Sequence, residues 1–248
     1  MTAMRIRGFA IVVAAGALVA SCGGSSSDAS APSTPKQFAA DKATIKQALL
    51  TQDDLPVGYS GKPHDNSNSS DPPKAVIDAF VKCSGFPKRL IESKDSDQPN
   101  LDAPDFTKGQ VAQGAATEVD SNIELDRSAN DIREPLALLA RPTTAKCFEP
   151  FFDAAIKQSS GSDPSVTFSK ASVKPLDVGS VGDQSAAFRG VVTVSAAGLS
   201  LPVEFNFYFV RSGRAMVQLF ALASGTSFDT ALAEKLIKTM IDRLDAAK

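Results

Sequence analysis

His64 is the only histidine in 248 residues, so any Ser-His-Asp chemistry must run through it. It stands among Lys62, Pro63, Asp65 and Asn66, in a polar stretch rich in breakers with no rigid scaffold on either side. The Gly-x-Ser-x-Gly elbow that presents a hydrolase nucleophile is absent. A Ser-Lys pair could start from Ser33 and Lys36, but solvent would keep that lysine protonated and useless as a base. Carboxylates come in pairs, Glu118 with Asp120 and Glu124 with Asp126. Buried together they could cleave a glycoside. As the polar side of an alternating strand, they are accounted for by solvation alone. Asp65 to Asp71 has the look of a calcium loop, yet Ser70 stands where its glycine belongs and Val76 where its bidentate Glu belongs. No glycine-rich phosphate loop occurs. The residues therefore read as a non-enzymatic protein with no cofactor and no metal site.

The N-terminus carries a different chemistry. Arg5 and Arg7 precede a twelve-residue apolar stretch from Phe9 to Ala20, about 18 Å of helix and too short to span a ~30 Å hydrocarbon core. Val19-Ala20-Ser21-Cys22 follows and resembles the lipobox of bacterial lipoproteins. The resemblance implies a signal peptide over residues 1–21, a diacylglycerol thioether on Cys22, and attachment to the membrane through lipid. Ordinary secretion with cleavage at a nearby small residue is the alternative. Residues 22–36 then form the lipidated cysteine and a Gly/Ser/Pro tether, which cannot bury enough surface to fold. With Cys22 acylated, Cys83 and Cys147 remain, and outside the membrane two such cysteines pair. A metal site or a reactive thiol is the other reading, and the lone histidine argues against the metal.

Residues 37–248 read as one extracytoplasmic α+β domain. Phe38 to Leu50 spaces Phe38, Ile45 and Leu49 on one helical face, and the helix stops at Asp53-Asp54-Leu55-Pro56 because proline disfavours helix in the residue before it. Residues 60–73 read as a polar loop, 73–83 as a short helix, and 84–108 as irregular. Val119, Ser121, Ile123 and Leu125 alternate with acids and Asn122, the pattern of a half-buried strand. A helix follows over 129–140, capped by Ser128 with Asp131 in the box position, and another near Cys147 carries Phe148, Phe151, Phe152 and Ile156. Strands are expected at 165–175, 184–196, 201–211 and 214–223, with turns at Ala197-Gly198 and Ser212-Gly213. A C-terminal helix over 228–246, capped by Thr226 or Ser227, carries a wide apolar stripe. The simplest assembly is an antiparallel sheet of about five strands, its phenylalanine face (Phe205, Phe207, Phe209) covered by that helix, with N-terminal and central helices around it. Its other face would show Arg189, Asn206, Tyr208, Gln218 and Phe220, a mixture of aromatic bodies and hydrogen-bonding groups that suits a ligand cleft. Loops or the N-terminal helices covering that face would serve equally well.

Leu49 to Tyr59 contains Asp54-Leu55-Pro56-Val57-Gly58-Tyr59, which resembles the opening of many actinobacterial envelope lipoproteins. With the two cysteines, the acidic strand and the closing strand-strand-helix, the order of elements resembles the extracellular sensor domains of mycobacterial PknH-like kinases and their lipoprotein relatives. Those domains are thought to carry two disulfides, and this chain can make one. The resemblance implies an extracytoplasmic α+β domain with a cleft for a ligand. A net charge of −2 offers no basic surface for nucleic acid. The expected partners are the membrane through the lipid anchor, a small or lipidic ligand, or an envelope enzyme or kinase on which the domain docks. The expected place is the outer face of the cytoplasmic membrane or the cell envelope.

Overall fold

The computed structural model describes residues 35–64, 74–86, 98–110, 114–159, 166–196 and 198–247. The lipobox, Cys22, the tether up to residue 34 and the calcium-like stretch at 65–71 lie outside them.

The first helix, α1 (Pro35–Ala48), buries Asp41, Ile45 and Ala48 along one stripe. A 3₁₀ turn over Gln52–Asp54 follows. Asp54 Oδ2 accepts from both Thr51 N at 2.7 Å and Thr51 Oγ1 at 3.0 Å. Then come β1 (Ser60–Lys62), α2 (Lys74–Ser84), β2 (Asn100–Asp102), β3 (Asp105–Gln110) and β4 (Ala115–Leu125). Next are α3 (Ala129–Leu139) and α4 (Thr144–Ser159), then β5 (Val166–Phe168) and β6 (Ser172–Pro175). The chain closes with β7 (Gln184–Ala196), β8 (Leu199–Ser212), β9 (Ala215–Ser224) and α5 (Thr230–Ala246). The capping box at α3 is present: Asp131 Oδ2 accepts from Ser128 N and Oγ, both at 3.1 Å. At α5 the cap is Asp229, not Thr226 or Ser227; its carboxylate accepts from Ala231 N and Leu232 N. Asp229 sits directly before the first helical residue, where a side-chain oxygen reaches the free N–H groups.

The fold is α+β, as expected, but the antiparallel sheet has nine strands rather than about five. Its path runs β1-β3-β4-β9-β8-β7-β5, with β2 also on β4 and β6 also on β7. The extra strands are short edge pieces. Ser60–Lys62 lies in the expected polar loop, and β2 and β3 lie in the stretch expected to be irregular. One long expected strand over 165–175 is instead the pair β5 and β6, both on β7. The decisive pairing is β4 with β9, in register from Ala116↔Ser224 to Leu125↔Ala215. It places the acidic strand inside the sheet, beside the last strand.

Each face of the sheet carries its own core. The aromatic face presents Phe188, Phe205, Phe207, Phe209 and Met216 to α2, α3 and α4. Phe152 of α4 sits 4.4 Å from Phe205 and 5.1 Å from Phe207, and Phe148 sits 4.9 Å from Phe188, ring centre to ring centre. Cys83 and Cys147 form a disulfide that ties α2 to α4 over this core. The aliphatic face presents Val119, Ile123, Val210, Val217, Leu219 and Ala221 to α1 and α5. The C-terminal helix therefore covers the face opposite the phenylalanines, a correction to the simplest assembly. Its stripe of Leu236, Ile237, Met240 and Leu244 matches small aliphatic side chains. The bulkier rings pack on a helix that brings rings of its own.

Candidate functional site

The site builds up from strand parity. Residues directly opposite one another in a sheet share a face. Phe220 of β9 pairs with Phe207 on one side and with Asp120 of β4 on the other. Leu222 pairs with Phe205 and with Glu118, and Gln218 with Phe209 and with Asn122. The aromatic face thus runs on beyond the helices and turns acidic at β4. Phe220 and Leu222 are half-buried at the margin of the aromatic core, with the Phe220 ring 4.8 Å from that of Phe207.

This arrangement corrects the expected ligand face. Arg189, Asn206 and Tyr208 lie on the aliphatic face, where Arg189 pairs with Asn206 and Ala187 with Tyr208. Gln218 and Phe220 lie on the aromatic face. One register step between β8 and β9 separates the two groups, because alternate residues point to opposite sides. Arg189 Nε donates to Asn206 Oδ1 at 3.1 Å, and Asn206 Nδ2 donates to Glu204 Oε1 at 2.9 Å. That same Glu204 oxygen accepts from Phe228 N at 3.2 Å. The network anchors the entry to α5 and fits a structural part. Tyr208 is 1% exposed, and its hydroxyl has no hydrogen-bond partner. Burial pushes its ionisation above the usual phenol range; Arg189 opposes, and Glu204, Glu234 and Asp229 add to the rise.

The acids on β4 have an environment the alternation alone did not reveal. Glu124 is 2% exposed and Asp126 5% exposed, so neither is a solvated surface group. Asp105 of β3 lies next to Asp120 across the β3–β4 ladder, one step beyond Phe106↔Val119. His64, just after β1, places Nδ1 2.5 Å from Asp105 Oδ1. Burial alone would lower the His64 ionisation, but the hydrogen bond and charge of Asp105, with Asp102 and Asp120, raise it. Burial, then the charges of Glu118 and Asp105, push the Asp120 carboxyl up to about 8, with His64 opposing. Burial and Asp105 likewise raise Glu118, opposed by Lys62 and His64. Asp120 Oδ1 is sealed from solvent with no hydrogen-bond partner among the described residues, and so is Asn122 Oδ1. Asn122 Nδ2 donates to Asn100 Oδ1 at 3.2 Å.

His64 thus has the carboxylate partner of an acid–base dyad, 41 residues away in sequence, a distance no local motif spans. A nucleophile would complete it, but among the described residues no serine, threonine or cysteine hydrogen-bonds to His64. Among the described residues no group of three or more His, Cys, Asp or Glu is arranged to hold a metal ion. A separate pocket of about 190 Å³ opens between the end of α3, the Pro175–Gly179 segment and β7 at Ser185–Phe188. It is smaller than the ~300 Å³ at which ordinary ligand pockets begin. No helix among the described residues is long and apolar enough to cross a membrane.

No protein-family model matches the chain, and no curated protein does. Among solved structures, the chain is similar to the extracellular domain of PknH from Mycobacterium tuberculosis. The identity is 10%, with 83% of this chain and 96% of that one covered, at a TM-score of 0.39. It is also similar to LpqN, involved in cell envelope biogenesis of Mycobacterium tuberculosis. Here the identity is 14%, with 78% and 95% covered, at a TM-score of 0.28. The sensor domain that the element order resembles is thus itself a structural neighbour. A fold does not fix a function, which rests with the site.

Proposed function

We propose that the protein is a lipid-anchored, extracytoplasmic and non-enzymatic binding module. It holds a small or lipidic ligand on the margin of the aromatic face, over Phe220, Leu222, Gln218, Asn122 and Asp120. The observation that carries this reading is the unequal covering of the sheet by the described residues. The aliphatic face is closed by two helices. The aromatic face ends in half-buried Phe220 and Leu222, beside Asp120 Oδ1 and Asn122 Oδ1, which have no hydrogen-bond partner among the described residues. Apolar surface next to a few convergent polar groups is the composition of a ligand site.

The lipobox-like Val19-Ala20-Ser21-Cys22 and the tether behind it support the anchor. Two acyl chains hold a protein stably at a membrane, each buried methylene contributing about 0.8 kcal/mol. Cys22→Ala is expected to move a folded protein from the membrane fraction to the soluble fraction. Unchanged partition would remove the anchor from the reading. For the ligand, the test is native mass spectrometry of the chain from residue 23 onward, purified from an actinobacterial host. The expected result is an added mass that disappears on denaturation and is lost in Phe220→Asp. A mass retained in that variant would place the ligand elsewhere, and a bare chain would favour docking on an envelope protein instead.

A further inference from the structure

The orphaned polar atoms at the margin of the aromatic face are of one kind. Asp120 Oδ1 and Asn122 Oδ1 are oxygens sealed from solvent, neither with a hydrogen-bond partner among the described residues, and the Asp120 carboxyl also shares a hydrogen bond with that of Asp105. The orientation of Asn122 is set by its amide nitrogen, which donates to Asn100. Gln218 lies directly opposite Asn122 on the same face. It is 8% exposed, and its amide has no hydrogen-bond partner among the described residues. A buried polar atom without a partner, such as Asp120 Oδ1 or Asn122 Oδ1, costs free energy unless something fills its place.

Among the described residues, charge at the same place is unbalanced. Asp102, Asp105, Glu118 and Asp120 approach one another from β2, β3 and β4. The basic groups facing them are Lys62 of β1 and His64, and His64 is already paired with Asp105. Facing them from β9 are Gln218, Phe220 and Leu222, none of which carries charge. Phe220, directly beside Asp120, offers an aromatic surface to whatever the carboxyl holds.

We propose that this margin binds a small amine with an apolar body. The ammonium sits among Asp120, Asn122 and Gln218, and the apolar part lies on Phe220 and Leu222. The proposal rests on reading this face as the ligand site and adds the chemical class of the ligand. An ammonium brings three donors and no acceptor, which is what the orphaned oxygens lack. Its charge offsets the surplus of carboxyls, and the Phe220 ring adds a cation–π contact. An anion would meet four carboxyls. A neutral alcohol would bring an acceptor of its own beside oxygens that already lack donors.

The test uses the full chain in phosphatidylcholine nanodiscs, with empty nanodiscs as the blank. Isothermal titration compares phenethylammonium with phenylethanol, its neutral counterpart. At pH 8.5, where Asp120 is ionised, phenethylammonium is expected to bind at least about tenfold more tightly than phenylethanol, and Asp120→Asn is expected to cost about tenfold, the size of one hydrogen bond to a charged group. Affinity is expected to rise between pH 6 and pH 8.5. Asp120 ionises as the pH passes about 8, and His64, whose ionisation is also raised, gives up its competing charge. Phe220→Ala should weaken the amine and leave the pH dependence in place.

Equal binding of amine and alcohol, both abolished by Phe220→Ala, would overturn the ammonium assignment and keep the face as a ligand site. Failure of both probes, with a copurifying mass that Phe220→Asp removes, would do the same. Failure of both probes with no such mass would overturn the ligand site as well.

Discussion

The two faces of one sheet are stabilised by different means. On the aliphatic side, α1 and α5 lie over small branched side chains and are fastened at their ends by ion pairs. Arg243 donates from Nη2 to Asp54 Oδ1 at 2.7 Å and from Nη1 to Asp54 Oδ2 at 2.9 Å. Arg214 likewise grips Asp41 of α1 with two nitrogens. On the aromatic side there is a covalent fastener instead, the Cys83–Cys147 bond, over a network of ring contacts. Among the described residues, α1 and α5 cover the aliphatic side, while Phe220 and Leu222 on the aromatic side stay half-buried.

Breaking the covalent fastener is the strongest challenge to this comparison. Cys147→Ser and Cys83→Ser should each destabilise by about 4 kcal/mol, the loop-closure value for a bridge spanning 64 residues. Hydrogen exchange should then accelerate in α2 and α4 before α1 and α5. Equal acceleration everywhere would mean that the two cores act as one. Next is Gly190→Ala on β7, beneath the aromatic core. A Cβ there would lie 1.8 Å from the Phe205 ring, and overpacking of this kind costs roughly 1–3 kcal/mol. A chemical-denaturation midpoint unchanged by Gly190→Ala would show that the rings are free to shift.

Arg243→Ala probes the other side and is expected to cost about 1–2 kcal/mol, since it leaves the Asp54 carboxylate without two of its hydrogen bonds. Burial alone would raise the Asp54 carboxyl, but Arg243 and Thr51 outweigh it and hold it below the usual range. That stability is present above the ordinary carboxylate range and is lost as pH falls through the depressed value. Arg243→Ala should therefore narrow its gap from the parent as a melting series is taken into acid.

The smallest effect, and the most discriminating, has the opposite sign. Asp120 and His64 are both raised in the fold. The native state then holds more protons than the unfolded chain, and stability falls as pH climbs from about 4 toward 8. Asp120→Asn should flatten that decline and raise Tm at pH 8 by a few degrees, about 2–4 °C per kcal/mol for a chain of this size. A parallel decline in parent and variant would show that Asp120 ionises like an exposed acid.

Much of this division was legible in the residues. The stripe from Leu232 to Leu244 announced a helix with one buried face, and β7, β8 and β9 followed from alternation broken at glycine turns. The phenylalanines of β8 announced a core. Their covering was not announced, because that depends on which helix arrives, and periodicity is silent on partners. The edge strands were hidden for a physical reason. Ser60-Gly61-Lys62 and Asn100-Leu101-Asp102 have no apolar alternation and are strands only because β3 and β4 offer them hydrogen bonds. Gln218 and Phe220 were singled out as ligand candidates with Arg189, Asn206 and Tyr208, and the one-residue parity of β9 divides the set. The meeting of His64 with Asp105 had no local signal at all. Reading it would have required knowing that β1 lies on β3.

The strand order also sets a timetable. β4 is completed on one side by β9, whose partners lie roughly 90 to 108 residues further along the chain, and Arg214 clamps α1 while Arg243 clamps the 3₁₀ turn after it. Contacts so distant in sequence close late and slowly. The bridge between Cys83 and Cys147 needs nothing beyond α4, so it can form while the last three strands are still unmade. A chain emerging N-terminus first would hold a cross-linked helical half beside an acidic strand with one edge still unpaired until its final fifty residues arrived. The charges on that strand, apt to repel a second copy of itself, would guard the waiting edge against pairing with the wrong neighbour.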